Sequence, residues 1–277
     1  MKDVGSHIDD RSWDLARQLL PGLELANVTS AVGADHSVLI APEVGVVRLS
    51  RQSGTVELMR RRRELLLRLE ILGLPFALPT PISEVIESDG ICAMAMRWIP
   101  GSPYPKGTGD PTILAGVLNA LRQVEVSDVF DVVEPAHAYA GGERWVELML
   151  DAVEELPHGV RSEALRRIEA AQALSSVEPS FIHGDLGGSN MFWDKQGGLV
   201  GIIDWDWASV WDPAMDAACL SWHGWDVVQA VVDTETYRRA RIWYLTFPIE
   251  QLVAARLRPP GHPDVVNRAV SWILRTS

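Results

Sequence analysis

Three oxygen-bearing side chains stand at intervals that suit phosphoryl transfer: Asp185, Asn190 five residues later, and Asp204 beyond a glycine-rich hairpin signal at Lys195-Gln196-Gly197-Gly198. They lie in residues 181–216, FIHGDLGGSNMFWDKQGGLVGIIDWDWASVWDPAMD, where short apolar runs flank each polar residue. A loop written H-x-D-x-x-x-x-N, here His183-Gly184-Asp185 through Asn190, supplies a carboxylate for an attacking hydroxyl and an amide oxygen for a metal ion. A carboxylate at the end of the next strand, Asp204, then holds Mg²⁺ against nucleotide phosphates. In a loose transition state positioning matters more than early deprotonation, so Asp185 would orient the hydroxyl and take its proton late. Mg²⁺ is a hard cation that prefers oxygen, which makes Asn190 and Asp204 the metal candidates. A lone H-x-D would mean little. The ordered set carries the reading, and the bland alternative is a pair of capped loops with no metal.

The arginine usual in the protein-kinase loop is Gly184 here, and the usual Phe-Gly after the metal aspartate is Trp205-Asp206. With those replacements, and with Asp212-Pro213-Ala214 and Asp216 next along the chain, the segment resembles the aminoglycoside phosphotransferase family of antibiotic kinases. Within that family Gly187-Gly188-Ser189-Asn190 and Met191-Phe192-Trp193-Asp194 resemble the members that act on viomycin and capreomycin. Leu20-Pro21-Gly22, Pro79-Thr80-Pro81-Ile82-Ser83-Glu84 and Ile99-Pro100-Gly101 add to that likeness. The resemblance is weak over 104–178 and after 225, where acceptor specificity would lie.

It implies an α+β, bilobal protein-kinase-like fold, with a small nucleotide-binding lobe over 1–98 and a larger, mainly helical catalytic and acceptor-binding lobe over 99–277. The implied reaction moves the γ-phosphoryl group of ATP or GTP, with Mg²⁺, to a hydroxyl of a cationic antibiotic. A capreomycin- or viomycin-type peptide comes first and an aminoglycoside or macrolide next. The alternatives are a metabolite kinase of the same fold and a catalytically silent kinase-like binding protein. Asp216 is expected to bond the catalytic-loop backbone, and His183 to be a neutral ring bonded to the same backbone rather than a base.

Kinase-like folds place a cation on the third strand against the phosphates and hold it with a carboxylate on the following helix. Arg48 in Val46-Val47-Arg48-Leu49 and Glu64 are the expected pair, with Arg51 as a substitute cation. Glu64 also reads as a counter-charge to Arg60, Arg61, Arg62 and Arg63. Gly33, Asp35, His36 and Ser37 stand where a phosphate-covering loop would be, or form an ordinary hairpin turn. Met96, Arg97, Trp98 and Ile99 would present backbone groups to the purine.

The 277 residues are 47% apolar and 22% charged, with a net charge of −12. This suits a globular protein of one large or two small domains with no membrane segment, and the cytoplasm as its location. The two cysteines, Cys92 and Cys219, are too few for a metal cluster, argue against a disulfide-stapled scaffold and read as small core residues. Residues 91–236 hold 8 basic and 22 acidic side chains, a net of −14. Such a surface repels nucleic acid and attracts cations, so a polycationic small molecule is the expected partner, for a monomer or dimer. Acceptor candidates are Asp206, Trp207, Trp222 and Trp225, with Trp145 considered beside them, and the acidic segment of Glu147, Asp151, Glu154 and Glu155. Asp206 also reads as a turn cap, the tryptophans as core, and the acidic segment as a solvated helix face.

The elements that must position these residues follow from periodicity. A helix runs from Asp10 to a stop at Pro21-Gly22, and strands cover Val28–Val32, Val38–Ile40 and Val44–Leu49. A helix follows from Thr55 to Leu72, then strands at Ile82–Glu87 and Ile91–Trp98. The rest reads as helices opening at Asp110-Pro111, Trp145, near Leu165 and at Thr234, with Pro263 in the first turn of the last.

Overall fold

The computed structural model describes residues 9–24, 27–32, 36–50, 55–104, 106–258 and 264–277. The chain divides into two compact units, Met1–Tyr104 with Ser189–Ile203 and Pro105–Gly188 with Asp204–Ser277. This division differs from a single cut at 98/99 in two ways. The chain leaves the first unit six residues later, and the hairpin after Asn190 returns to it.

In the first unit α1 (Asp10–Leu19) begins at Asp9, whose carboxylate accepts the Ser12 N–H at 2.9 Å. Five antiparallel strands follow in the order β1-β2-β3-β5-β4, formed by β1 (Thr29–Val32), β2 (Ser37–Ala41), β3 (Gly45–Ser50), β4 (Ile86–Ser88) and β5 (Ile91–Met96). Every residue of β5 is buried, because the strand is covered on both faces. Ile91, Ala93 and Ala95 join Trp13, Ala16, Leu39, Val47 and Leu49 in the core beneath α1. The alternate residues face the side of α2 (Thr55–Leu72), where the Thr55 hydroxyl lies 3.3 Å from the Cys92 sulfur.

The strand expected at Ile82–Glu87 forms only from Ile86. Pro79 and Pro81 have no N–H to give, so the chain beside β5 is held by isolated bonds, Ile82 N–H to the Ala95 carbonyl and Arg97 N–H to the Thr80 carbonyl. A second sheet joins β6 (Ser102–Pro103), β8 (Met191–Trp193) and β9 (Leu199–Ile202). The Asp194 carboxylate closes the β8–β9 turn by accepting the N–H groups of Gln196 and Gly198.

The second unit is mainly helical, with α3 (Pro111–Arg122), α4 (Trp145–Val153), α5 (His158–Gln172), α6 (Ala214–Cys219), α7 (Trp225–Val231), α8 (Thr234–Leu257) and α9 (Val265–Thr276). Asp110 caps α3 through the N–H groups of Thr112 and Ile113, with Pro111 in the first turn. One core gathers Met149, Val153, Leu156, Ile168, Ile249, Leu252, Val253 and Ile273 from four helices and the turn after α4. Pro248 sits inside α8 and is buried, so the helix passes it with one backbone donor fewer. A two-stranded ribbon of β7 (Ser180–Ile182) and β10 (Ser209–Trp211) brackets the segment that carries Asp185 and Asp204. Pro263 lies outside the described residues. No helix among the described residues is long and apolar enough to cross a membrane.

Candidate active site

The loop after β7 is held from beneath by one carboxylate. Asp216, 1% exposed at the start of α6, accepts the His183 N–H at 2.8 Å through Oδ2 and the Gly184 N–H at 2.9 Å through Oδ1. Burial pushes its pKa up to about 7; the two N–H bonds work in the opposite direction, and Asp185 nearby adds to the rise. The fully buried His183 accepts the Asp185 N–H on Nδ1 at 3.2 Å, which leaves the ring proton on Nε2 and a neutral imidazole. Its ring meets Trp205 edge-on at 4.5 Å between centroids.

Gly184 explains the departure from the kinase pattern. Its φ is +81°, and a Cβ there would stand 2.1 Å from the Trp207 carbonyl oxygen, so a side chain fails on both backbone conformation and space. The loop of Asp185 and the short 3-10 turn Trp205–Trp207 therefore close backbone to backbone.

Asp204 opens that turn in the left-handed region, with φ +63° and ψ 63°. A non-glycine residue held there costs about 1–3 kcal/mol, and such strain collects at working sites. In the hairpin preceding it, the Asn190 carbonyl accepts the Ile203 N–H at 2.9 Å, so the β8–β9 register sets Asn190 across from the residue before Asp204. Among the described residues no three His, Cys, Asp or Glu side chains gather as a self-contained metal cage. Mg²⁺ does not require such a cage, since it binds through one or two protein oxygens and completes its shell with substrate phosphates and water.

Asp185 also lines a cavity of about 270 Å³ that lies wholly within the second unit. Tyr139, Trp207, Trp211 and Phe247 supply aromatic walls, and His137 and Glu250 bring further polar groups. His137 is stacked on Trp145 at 4.1 Å between centroids and tilted against Trp211 at 4.1 Å. Burial lowers its pKa to about 4, against a small upward pull from Asp212, so the ring is neutral near pH 7. Behind it the buried Asp212 accepts from both Arg239 Nε and Nη2, and from Trp243 Nε1 at 2.6 Å.

The predicted acceptor residues separate. Trp207 lines this cavity; Asp206 is buried within the turn Trp205–Trp207. Glu147 is on the surface, clasped by Arg144 Nε and Nη2, and the backbone of Asp151 accepts from Arg256. Trp222 packs over Gly188 with Lys106 above its ring, and Trp225 packs against Tyr237 and Tyr244 under Arg241. None of these four lines the cavity. Trp145 reaches it only through its stack on His137.

Among the described residues of the first unit, Glu64 and Arg48 are found with other partners than each other. Glu64 accepts from Arg68, one helical turn on, at 2.9 Å, and the buried Arg48 bonds His36 Nδ1 at 3.0 Å. An i,i+4 partner on the same helix is always within reach of Glu64, whereas Arg48 is on β3. Ser37 opens β2, Met96 ends β5, Arg97 pairs with Glu70 at 3.0 Å, Trp98 is half-buried and Ile99 is buried. Gly33, Asp35 and Arg51 lie outside the described residues. Sequence reasoning missed Tyr139, Phe247 and Glu250, which stand outside any motif, and gave Trp211 no definite role. Asp216 and His183 form the backbone bonds expected of them.

A family model described as the phosphotransferase enzyme family matches residues 31–248. Viomycin phosphotransferase of Streptomyces vinaceus is 28% identical over 221 residues, 75% of this chain and 77% of the relative. Among solved structures, the GDP and kanamycin complex of APH(2″)-IIIa superposes with a TM-score of 0.78 at 19% identity, covering 97% of this chain and 98% of that chain. The apoenzyme of macrolide 2′-phosphotransferase MphH from Brachybacterium faecium gives 0.67 at 20% identity, over 96% and 98%. The likeness to these structures shows the fold, an α+β kinase-like arrangement of a small antiparallel sheet followed by helices. With a family match over most of its length, the chain belongs to the phosphotransferase enzyme family.

Proposed function

We propose that this protein transfers the γ-phosphoryl group of ATP or GTP to a hydroxyl of a cationic antibiotic, a peptide of the viomycin and capreomycin class before an aminoglycoside or macrolide. The observation that carries the reading is Asp185, presented to an aromatic cavity by a loop that Asp216 fixes through two backbone N–H groups. The viomycin phosphotransferase relative supports the acceptor class, and the kanamycin and GDP complex supports a nucleotide donor.

In the reaction the acceptor oxygen forms a bond to the γ-phosphorus as the bond from that phosphorus to the β–γ bridging oxygen breaks. The acceptor proton passes to Asp185. A fixed carboxylate suits this step because most of the advantage lies in holding the hydroxyl in line, not in removing its proton early. Asn190 and Asp204 would hold Mg²⁺, which supplies positive charge to the phosphates when bound. Arg48, supported by His36 rather than by Glu64, offers the phosphate cation, and the backbone of 96–99 meets the purine. His183 and Asp216 act by positioning the loop.

The test is incubation of purified protein with Mg²⁺ and ATP or GTP against capreomycin, viomycin, kanamycin and a macrolide, with products read by mass spectrometry. A phosphate-sized mass gain on one antibiotic is expected, with Asp185→Asn reducing the rate by about 10²–10⁴. No gain on any antibiotic, with nucleotide binding intact, would sink the antibiotic reading and leave a metabolite acceptor.

A further inference from the structure

We propose that Glu250 is the anionic contact for one compact cationic group of the acceptor, an ammonium or a guanidinium, held among the aromatic walls of the cavity that Asp185 also lines. The inference rests on the phosphoryl-transfer reading of that cavity and names the chemistry its inner end selects.

Glu250 projects from α8 and is 6% exposed. Among the described residues no cation pairs with it; its side-chain neighbour is the Thr246 hydroxyl, 2.5 Å from Oε1. That hydroxyl also lies 2.7 Å from the Trp243 carbonyl, and it has a single hydrogen to give. The Thr246 hydroxyl therefore shares its one hydrogen between the Trp243 carbonyl and Glu250 Oε1, and supplies the carboxylate with at most part of a hydrogen bond. A buried carboxylate without a counter-charge is costly, so the neutral acid is favoured well above the pH at which an ordinary glutamate ionises. Burial accordingly pushes its pKa up to about 7, with the Thr246 bond working in the opposite direction.

The surrounding faces suit such a guest. Tyr139 and Trp207 already receive the Arg258 guanidinium, 4.8 Å and 4.7 Å from their ring centroids, which shows that these rings accept a flat cation. Trp211 and Phe247 complete the walls. At about 270 Å³ the space falls at the lower end of ligand pockets and admits one arm of a large antibiotic rather than its whole ring.

Other titratable groups face the same space. His137 titrates near 4, while burial raises the pKa of the Tyr139 hydroxyl and, strongly, of the Cys219 thiol, so none of the three changes charge between pH 6 and 8. Asp185, from the loop after β7, adds negative charge that favours the same guest. Asp216 shares the range near 7 but lies beneath the loop. Cation binding below pH 7 therefore expels one proton from Glu250 into solvent.

The experiment titrates the full-length protein with butylguanidinium and, separately, with 1-butanol, following tryptophan emission and heat at about pH 6 and about pH 8. Butylguanidinium should bind about tenfold more tightly at the higher pH, and Glu250→Gln should weaken it about tenfold there and remove the pH dependence. 1-Butanol should be indifferent to both. Equal affinity for cation and alcohol, or a pH dependence that persists unchanged in Glu250→Gln, overturns the proposal and in the latter case points to Asp216. Should the variant fail to fold, the wild-type comparison of cation with alcohol at the two pH values decides. Cation binding without phosphate transfer to any antibiotic would keep the cation site and sink its assignment to an acceptor. Transfer with Glu250→Gln unaffected sinks this proposal alone.

Discussion

Two acidic places in the second unit hold their charge in opposite ways. On α4, Glu147 is exposed and gripped by Arg144, which is also what lowers its pKa. At the cavity, Glu250 is buried, lacks a cationic partner among the described residues and has its pKa raised. Asp212 shows that burial alone is not the distinction, since it is as deeply buried as Glu250 yet compensated by Arg239 and Trp243. A run of carboxylates along a helix therefore says little about recognition. A single desolvated one without a counter-ion, on the wall of a cavity, says more, because its charge is not yet spoken for.

That contrast can be broken at its strongest point first. Asp212→Ala leaves Arg239 buried and unpaired and should cost about 3–5 kcal/mol in urea denaturation; a smaller loss would mean that Arg239 finds water or another acceptor. A smaller effect belongs to Glu250. A glutamate titrates near 4.5 in the unfolded chain and near 7 here, so the folded state binds a proton that the unfolded state has lost, and stability falls as pH rises from about 4.5 to 7 and then levels. Glu250→Gln should remove roughly 3 kcal/mol of that fall, leaving the similar fall contributed by Asp216; denaturation curves at several pH values read it directly. Smallest of all is Glu147→Gln, which should leave the acceptor KM and the denaturation midpoint unchanged, since exposed ion pairs contribute little. A raised KM there would return the acceptor to the acidic helix.

Local signals carried much of the fold. Thr55 to Leu72 forms the helix its leucine spacing predicts, Asp110-Pro111 opens α3, and Asp194 with Gly197 and Gly198 closes the hairpin that the glycine pair announced. The support of the loop at His183 and Gly184 was legible because Asp216 acts there on backbone groups, which every sequence carries. Legibility stopped where partners are distant. The i,i+4 spacing of Arg68 could have warned against Arg48 as the partner of Glu64, but nothing in TFPIEQ marks Glu250 as buried, with a proline two residues before it that would ordinarily argue against a helix. Burial of a polar side chain is a property of packing, and the one-dimensional pattern around α8 does not record it.

The glycine at 184 bears on regulation. Protein kinases that wait for a phosphorylated activation segment use loop arginines to pair with the new phosphate and bring their sites into order. Here the position that would carry such an arginine has a positive φ and the Trp207 carbonyl where a Cβ would go. A phosphate switch of that kind has no receiver at this position, because the conformation that closes the loop onto the Trp207 carbonyl excludes the side chain that would receive it.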